Sequence, residues 1–299
     1  MWIKKGNIFS EHWAQLPVAH LLGENKYEIF YSRRVDNKSH PCRIIFDKNT
    51  KLISDKQQLD VSLGKPGTFD WAGVMPTSYL KNGDTEFLYY IGWSNRIDVP
   101  YHNSLGLMIR QSGNIFEKLS DGPIFNSSRL EPGYIGTIEV MKENVFRGWY
   151  LSCREWEEID NRMEPIYDIK YAESNNGIDW TPKNISCIKL LANEGGISRA
   201  SVIKKDDLYY MWFSVRARKD YRTNKHCSYR IQMASSKDGI AWERKNKEEF
   251  PLSLSGWDSE MIEYPCIIDE EKNLTMFYNG NKFGESGIGY AEKSSLSLW

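Results

Sequence analysis

A pattern that recurs along the whole length of this 299-residue chain constrains its fold more than any other feature. Tyr171-Ala-Glu-Ser-Asn-Asn-Gly-Ile-Asp-Trp180 and Met233-Ala-Ser-Ser-Lys-Asp-Gly-Ile-Ala-Trp242 each run an alternating strand into a Gly turn and restart at a tryptophan. A third copy closes the chain, where Ala291 reaches Trp299 at the spacing that separates Ala172 from Trp180. Aromatic-rich strands precede these motifs at 27–34, 87–93, 147–152, 209–214 and 274–279. Before each of those lies a shorter apolar strand and a polar turn, such as Asn82-Gly-Asp84 or Lys205-Asp-Asp207, with hairpin chemistry.

Strand, hairpin, strand, loop, strand at a period of roughly 60 residues describes the blades of a β-propeller. The reading is therefore all-β: a single five-bladed propeller over 1–299, with blades at 11–64, 65–127, 128–190, 191–252 and 253–299. No apolar spacing of the helical kind is sustained, which argues against a helical solenoid. Two separate sandwiches are the structural alternative, but they leave the fivefold pattern unexplained. The fifth copy stops before its outer strand, and Trp2-Ile-Lys-Lys5 resembles the missing piece. Residues 2–10 are therefore expected to close the last blade, covering an edge that would otherwise be exposed.

Composition then limits the partners. A formal net charge of −1 gives no global field to attract a polyanion, so nucleic acid is not expected as a partner. Cys42, Cys153, Cys187, Cys227 and Cys266 are scattered without a CxxC pair, which favours reduced thiols and a cytoplasmic setting. The five histidines lack HxH or HxxxH spacing, so no metal site is expected, and no motif points to a cofactor. No apolar run approaches membrane-spanning length, so no membrane insertion is expected. Aromatic residues reach 13%, led by tyrosine and tryptophan. Such rings favour strands and also stack on the apolar faces of sugars.

The first strand of each blade lines a propeller's channel, and aligning the repeats makes Gln15, Val74, Thr137, Arg199 and Glu263 equivalent. Acids recur just upstream: Asp70, Glu131, Glu194, Asp258 and Glu260. If they converge on one mouth of the channel, neighbouring carboxylates separate one another's pKa values. Glu263, expected to face Arg199, reads equally as an acid or as half of a structural ion pair. The second strands end in Arg34, Arg154 with Trp156, Arg216 and Asn281, which fit either a hydroxyl-rich or anionic ligand or pairing between blades.

The Ser-x-x-Gly-Ile-x-Trp repeats at 174–180 and 236–242, Tyr-Met-Trp-Phe-Ser at 210–214 and Gly256-Trp-Asp-Ser-Glu-Met-Ile-Glu-Tyr-Pro265 carry a resemblance over essentially the whole chain. It resembles the five-bladed propeller superfamily of furanosidase-type glycoside hydrolases, which includes arabinanases, β-xylosidases, invertases and mannoside phosphorylases. It also resembles a hydrolase-like subgroup encoded among bacterial surface-polysaccharide genes. The resemblance implies a sugar, oligosaccharide or nucleotide sugar in the funnel, cleaved between paired carboxylates. This chain departs from that pattern, with Gln15 where the first blade's acid belongs and Thr137 near the third blade's, although Glu139 is close by. Three readings stay open. The first is an enzyme with Glu263 or Glu260 as proton donor, Asp70 opposing and Arg199 holding the charges together. The second is a non-catalytic sugar-binding propeller, and the third a phosphorylase with Arg34, Arg154 and Arg216 around phosphate.

Overall fold

The computed structural model describes residues 1–11, 13–111, 114–245 and 248–294, so Trp299 of the third repeat lies outside the described residues. The strands follow one another as four-stranded antiparallel meanders. The first holds β2 (Ala14–Gly23), β3 (Lys26–Val35), β4 (Lys38–Asp47) and β5 (Leu52–Gln58), preceded in the chain by β1 (Ile3–Phe9). The second holds β6 (Gly73–Asn82), β7 (Thr85–Asn95), β8 (Tyr101–Gln111) and β9 (Glu117–Lys118). The third holds β10 (Ile135–Lys142), β11 (Phe146–Ile159), β12 (Arg162–Ser174) and β13 (Thr181–Ser186). The fourth holds β14 (Glu194–Lys205), β15 (Leu208–Ala217), β16 (Arg230–Ser236) and β17 (Glu243–Arg244). The last holds β18 (Glu263–Asp269), β19 (Asn273–Asn279) and β20 (Ile288–Ser294), with β1 added antiparallel along β20.

Single parallel bridges, Ser39 to Gly73 and Tyr167 to Gly196, join the first meander to the second and the third to the fourth. The innermost strands β2, β6, β10, β14 and β18 each touch the next, and β18 returns to β2. Side chains bond amides across these joints: Ser78 Oγ takes the Val140 amide at 3.1 Å, and Ser201 Oγ the Ile267 amide at 2.8 Å. Radial meanders around a closed ring of inner strands make a β-propeller. Among the described residues, no helix is long and apolar enough to cross a membrane.

The core is divided into slabs, each between one meander and the next. Tyr89 and Leu105 meet Ile138 and Tyr150, for example, and Trp212 and Met233 meet Met276 and Tyr278. Tyr27 and Ile44 packed on Phe277 and Tyr290 close the ring. Second strands are covered on both faces and read as nearly continuous apolar runs, as in Leu208–Ala217, where eight successive residues are buried. Each large aromatic buried this way contributes about 1.5–3 kcal/mol.

The Ser-x-x-Gly repeat is a docking turn. Ser174 Oγ accepts the Gly177 amide at 2.9 Å and Ser236 Oγ the Gly239 amide at 2.8 Å. Both glycines take positive φ (76° and 72°), a conformation that costs most residues a steric clash. Their carbonyls accept the Tyr89 hydroxyl (2.9 Å) and the Trp149 indole (2.7 Å) of other strands. The N-terminal closure is equally specific. Trp2 is buried edge-on against Trp212 (5.9 Å) and Phe250 (6.4 Å), and Lys4 ion-pairs with Asp258 at 2.7 Å.

Candidate functional site

Inner strands enter the channel through β-bulges, and these shift the register read from sequence. Gln15 pairs with Ser32, Ile135 with Ser152, Ser198 with Ser214 and Glu263 with Asn279, each just before its bulge. Gln15 and Glu263 are therefore equivalent, but Arg199 sits one residue further on and Thr137 two. Leu16, Arg199 and Tyr264 follow in the left-handed region (φ 57°, 51° and 55°). Side chains hold the bulged amides: Asn279 for Leu16, Thr137 for Arg199 and Ser214 for Tyr264, at 2.8–3.1 Å. An extra residue in a strand re-aims the side chains beyond it, which repeat spacing does not reveal.

The recurrent acids do not meet at the channel mouth. Asp70, Glu131, Glu194 and Asp258, with Glu11 at the entry to the first meander, are each held by a cation of their own meander, several of them on the outermost strand. Asp70 pairs with Lys118 of β9 and accepts hydroxyls from Tyr90 (3.3 Å) and Thr68 (3.1 Å). Glu194 is gripped by Arg244 of β17 at 2.6 and 3.0 Å. Asp258 binds Lys4 of β1 and the Tyr278 hydroxyl (2.9 Å). Glu131 binds Lys170 of β12 (3.1 Å) and Tyr150 (2.7 Å), and Glu11 binds Lys56 of β5 (3.0 Å) and Tyr31 (2.6 Å). The repetition is a structural buckle between the loop entering each meander and its outer strands. Asp70 lines a different cavity, with Lys65, Phe116 and Asp121.

The central cavity, about 410 Å³, lies where the bulged ends of the inner strands converge. Trp13, Trp93, Tyr101, Tyr134, Tyr167, Tyr221, Tyr229, Tyr264 and Phe283 wall it, and Gln15, Asn103, Thr137, Ser198, Arg34 and Arg222 supply polar groups. Among the described residues that line it there is no carboxylate. Tyr167 and Tyr229 join hydroxyl to hydroxyl, as do Tyr101 and Tyr134 at 3.4 Å. Burial pushes Tyr101 up to about 12 and Tyr134, Tyr229 and Tyr264 well above the ordinary phenol value, so these walls are neutral. Gln15 donates to the Phe283 carbonyl, fixing one side of the floor.

Glu263 stands directly behind this wall. It is fully buried, and neither carboxyl oxygen has a hydrogen-bond partner of normal geometry. Burial raises its pKa well above the carboxylate range, against the opposing pull of Tyr264 and the Arg222 charge. The charged neighbour of Glu263 is Arg222 rather than Arg199. Arg199 turns instead to Glu139 (3.3 Å) and the Pro17 carbonyl (3.2 Å). Burial also raises Glu139, against the pull of Arg199.

The remaining expected residues are dispersed. Glu260 is exposed, and Asn281 takes the Glu260 and Met261 amides at 2.8 and 3.0 Å, bracing that loop. Arg34 lines the cavity and lies over the Trp93 ring at 5.3 Å. Arg154 is exposed, 3.9 Å from Asp168, and Arg216 is buried beneath Tyr221, donating to Tyr167 at 2.9 Å. The three arginines expected around a phosphate thus occupy different surroundings. Trp156 backs the wall from behind, 5.2 Å from Tyr101 and 5.8 Å from Tyr134. Sequence reasoning missed Tyr221, Arg222 and Tyr229. The signal was there: the 12 residues between Leu208–Ala217 and Arg230–Ser236 far exceed the two at the equivalent turns 36–37 and 160–161.

This architecture is shared with propeller glycosidases. The chain aligns with BT0996, solved as a complex with RGII, at TM-score 0.73 and 15% identity, covering 98% of this chain and 92% of the other. A structure from the GH130 family of mannoside phosphorylases, which contains glycoside hydrolases that target β-1,2 mannosidic linkages in Candida mannan, aligns at TM-score 0.68 and 12% identity, covering 97% and 86%. A mutant of the Bombyx mori GH32 β-fructofuranosidase BmSUC1, in complex with sucrose, aligns at 0.67 and 13%, covering 95% and 61%. No family model matches the chain. In sequence it is 31% identical over 304 residues to the uncharacterized proteins Rv1502 and MT1551 of Mycobacterium tuberculosis, covering 97% of this chain and 98% of each. The chain belongs to the family of Rv1502.

Proposed function

We propose that this chain is a carbohydrate-active, glycoside-hydrolase-like protein, a five-bladed propeller whose last blade is completed by β1. Its central cavity binds a sugar, oligosaccharide or nucleotide sugar, and Glu263 is the proton source for a glycosidic or activated-sugar oxygen. Work on surface polysaccharides in a cytoplasmic setting is part of the same proposal. The observation that carries it is a fully buried carboxyl, its pKa raised by burial, next to an aromatic-walled cavity that Tyr264 lines. Tyr264, which lines the cavity and interacts with Glu263, is the route by which the proton reaches the ligand.

A second reading, non-catalytic sugar binding, is favoured by one specific feature. Hydrolysis by two carboxylates needs a pair about 5–9.5 Å apart flanking the bond, and the described lining residues supply none. Incubation with a panel of oligosaccharides and nucleotide sugars, read by mass spectrometry, separates the two. Turnover is expected in the native chain, falling about a hundredfold or more in Glu263→Gln and unchanged in Asp70→Asn. Binding without turnover selects the second reading, and turnover that survives Glu263→Gln removes the assignment.

A further inference from the structure

The charges around the cavity do not balance, and this inference rests on reading the cavity as a sugar site. Arg222 spends half of its guanidinium on Glu164, with Nε at 3.3 Å and Nη2 at 3.2 Å. Its Nη1 has no protein partner among the described residues, although the side chain lines the cavity and is about one-third exposed. Arg34, from the end of β3, lines the same cavity with no carboxylate within ion-pairing distance, and its contact is the Trp93 ring. Asp36 lies nearby, in an adjoining depression that Arg34 also lines, but it forms no ion pair with Arg34. Behind the wall, Arg216 is 1% exposed and bonds to the Tyr167 hydroxyl and the carbonyls of Ala217 and Pro165, with no carboxylate among its partners.

Of Arg222, Arg216 and Arg34, only Arg222 has a carboxylate within ion-pairing distance, Glu164, and Arg162 shares that carboxylate at 3.3 Å, in a region walled by neutral rings. Burial disfavours the charged form of Glu263, which makes it a poor counterion for these arginines. A partly desolvated cation without a counterion is costly, and water-poor walls strengthen its pull on an anion. The open edge of a guanidinium also has the geometry to grip two oxygens of one carboxylate or phosphate.

We propose that the sugar taken by this cavity carries a negatively charged group, a carboxylate or a phosphate, which binds the unoccupied Nη1 edge of Arg222 with Arg34 at the mouth. The aromatic walls take the apolar face of the ring, and the arginines choose the acidic sugar over its neutral parent.

The test is calorimetric titration of the full chain with four probes: a hexuronate-containing oligosaccharide, a hexose phosphate, a UDP-hexose and the neutral parent oligosaccharide. One or more acidic probes are expected to bind about tenfold or more tighter than the neutral one, in keeping with a charge-assisted contact. The uronate and phosphate arms distinguish the two sources of the anion. Arg222→Gln should reduce that preference to about threefold or less. Arg34→Gln, an exposed position that cannot compromise folding through lost burial, should reduce it in part. Equal affinity for acidic and neutral probes, or equal loss of both in Arg34→Gln, overturns this inference and leaves the carbohydrate reading standing. Failure of every sugar to bind overturns both.

Discussion

Glu263 illustrates how one side chain can be informative through what it lacks. Most buried carboxyls in this molecule have cations or hydroxyls around them, as Asp70 has Lys118 and Tyr90. Around Glu263 only Tyr264 and the Arg222 charge offer such support, neither carboxyl oxygen has a hydrogen bond of normal geometry, and burial raises its pKa. The linkage has a definite sign. A folded pKa above the unfolded value, near 4.5, favours folding fully below that value, and the contribution is lost as pH climbs toward the folded pKa. Glu263→Gln removes the titration. The variant should therefore gain stability relative to the native chain as pH rises above about 5, by on the order of 1 kcal/mol per pH unit until the folded pKa is passed. Urea unfolding of both proteins across that range measures it. Parallel stability curves would show that Glu263 ionises without penalty when folded.

At the scale of the element, β1 does more than cover an edge. It pairs along β20 from Ile3 opposite Glu292 to Phe9 opposite Ile288, sinks Trp2 between Trp212 and Phe250, and sends Lys4 to the Asp258 buckle. Trp2→Ala is expected to cost about 3–5 kcal/mol, the range for truncating a buried large aromatic, as measured by chemical denaturation. Removal of residues 1–10 should abolish soluble folded protein, because it exposes β20 and leaves Asp258 without its lysine. A stable, monomeric truncation would overturn this account. The long 218–229 connection shows the opposite logic. It contributes little regular structure, yet it carries Tyr221, Arg222 and Tyr229 into the cavity.

At the scale of the whole molecule, the core is a set of slabs shared between neighbouring meanders, so no meander buries its own faces alone. The ring closes through β18 on β2 and through Tyr27 packed on Phe277. Unfolding one sheet uncovers two others, which predicts a single cooperative thermal transition with equal calorimetric and van't Hoff enthalpies. Two resolved transitions in scanning calorimetry would mean that the slabs melt independently.

The repeat, the hairpin turns and the all-β class were legible in the sequence because they depend on local chemistry. Glycine at positive φ, serine oxygens taking nearby amides and doubly covered aromatic strands leave marks at fixed spacings. The pairing of β1 with β20 was legible too, since an outer strand missing at one end had its counterpart at the other. The recurrence of acids was also visible, but its meaning was not. Asp70, Glu194 and Asp258 find their cations 48, 50 and 254 residues away, partners that no local pattern identifies. Glu263 was expected to face Arg199, yet a bulge moves Arg199 out of register toward Glu139.

Sequence alone thus determined that this chain makes repeated antiparallel meanders, since those follow from short-range periodicity and turn geometry. The tertiary structure decided which acids are buckles, which one burial disfavours in its charged form beside the cavity, and which arginines lie there without a carboxylate in ion-pairing distance. Those are properties of desolvation and of charges brought together from distant segments, and they come into being only when the ring closes.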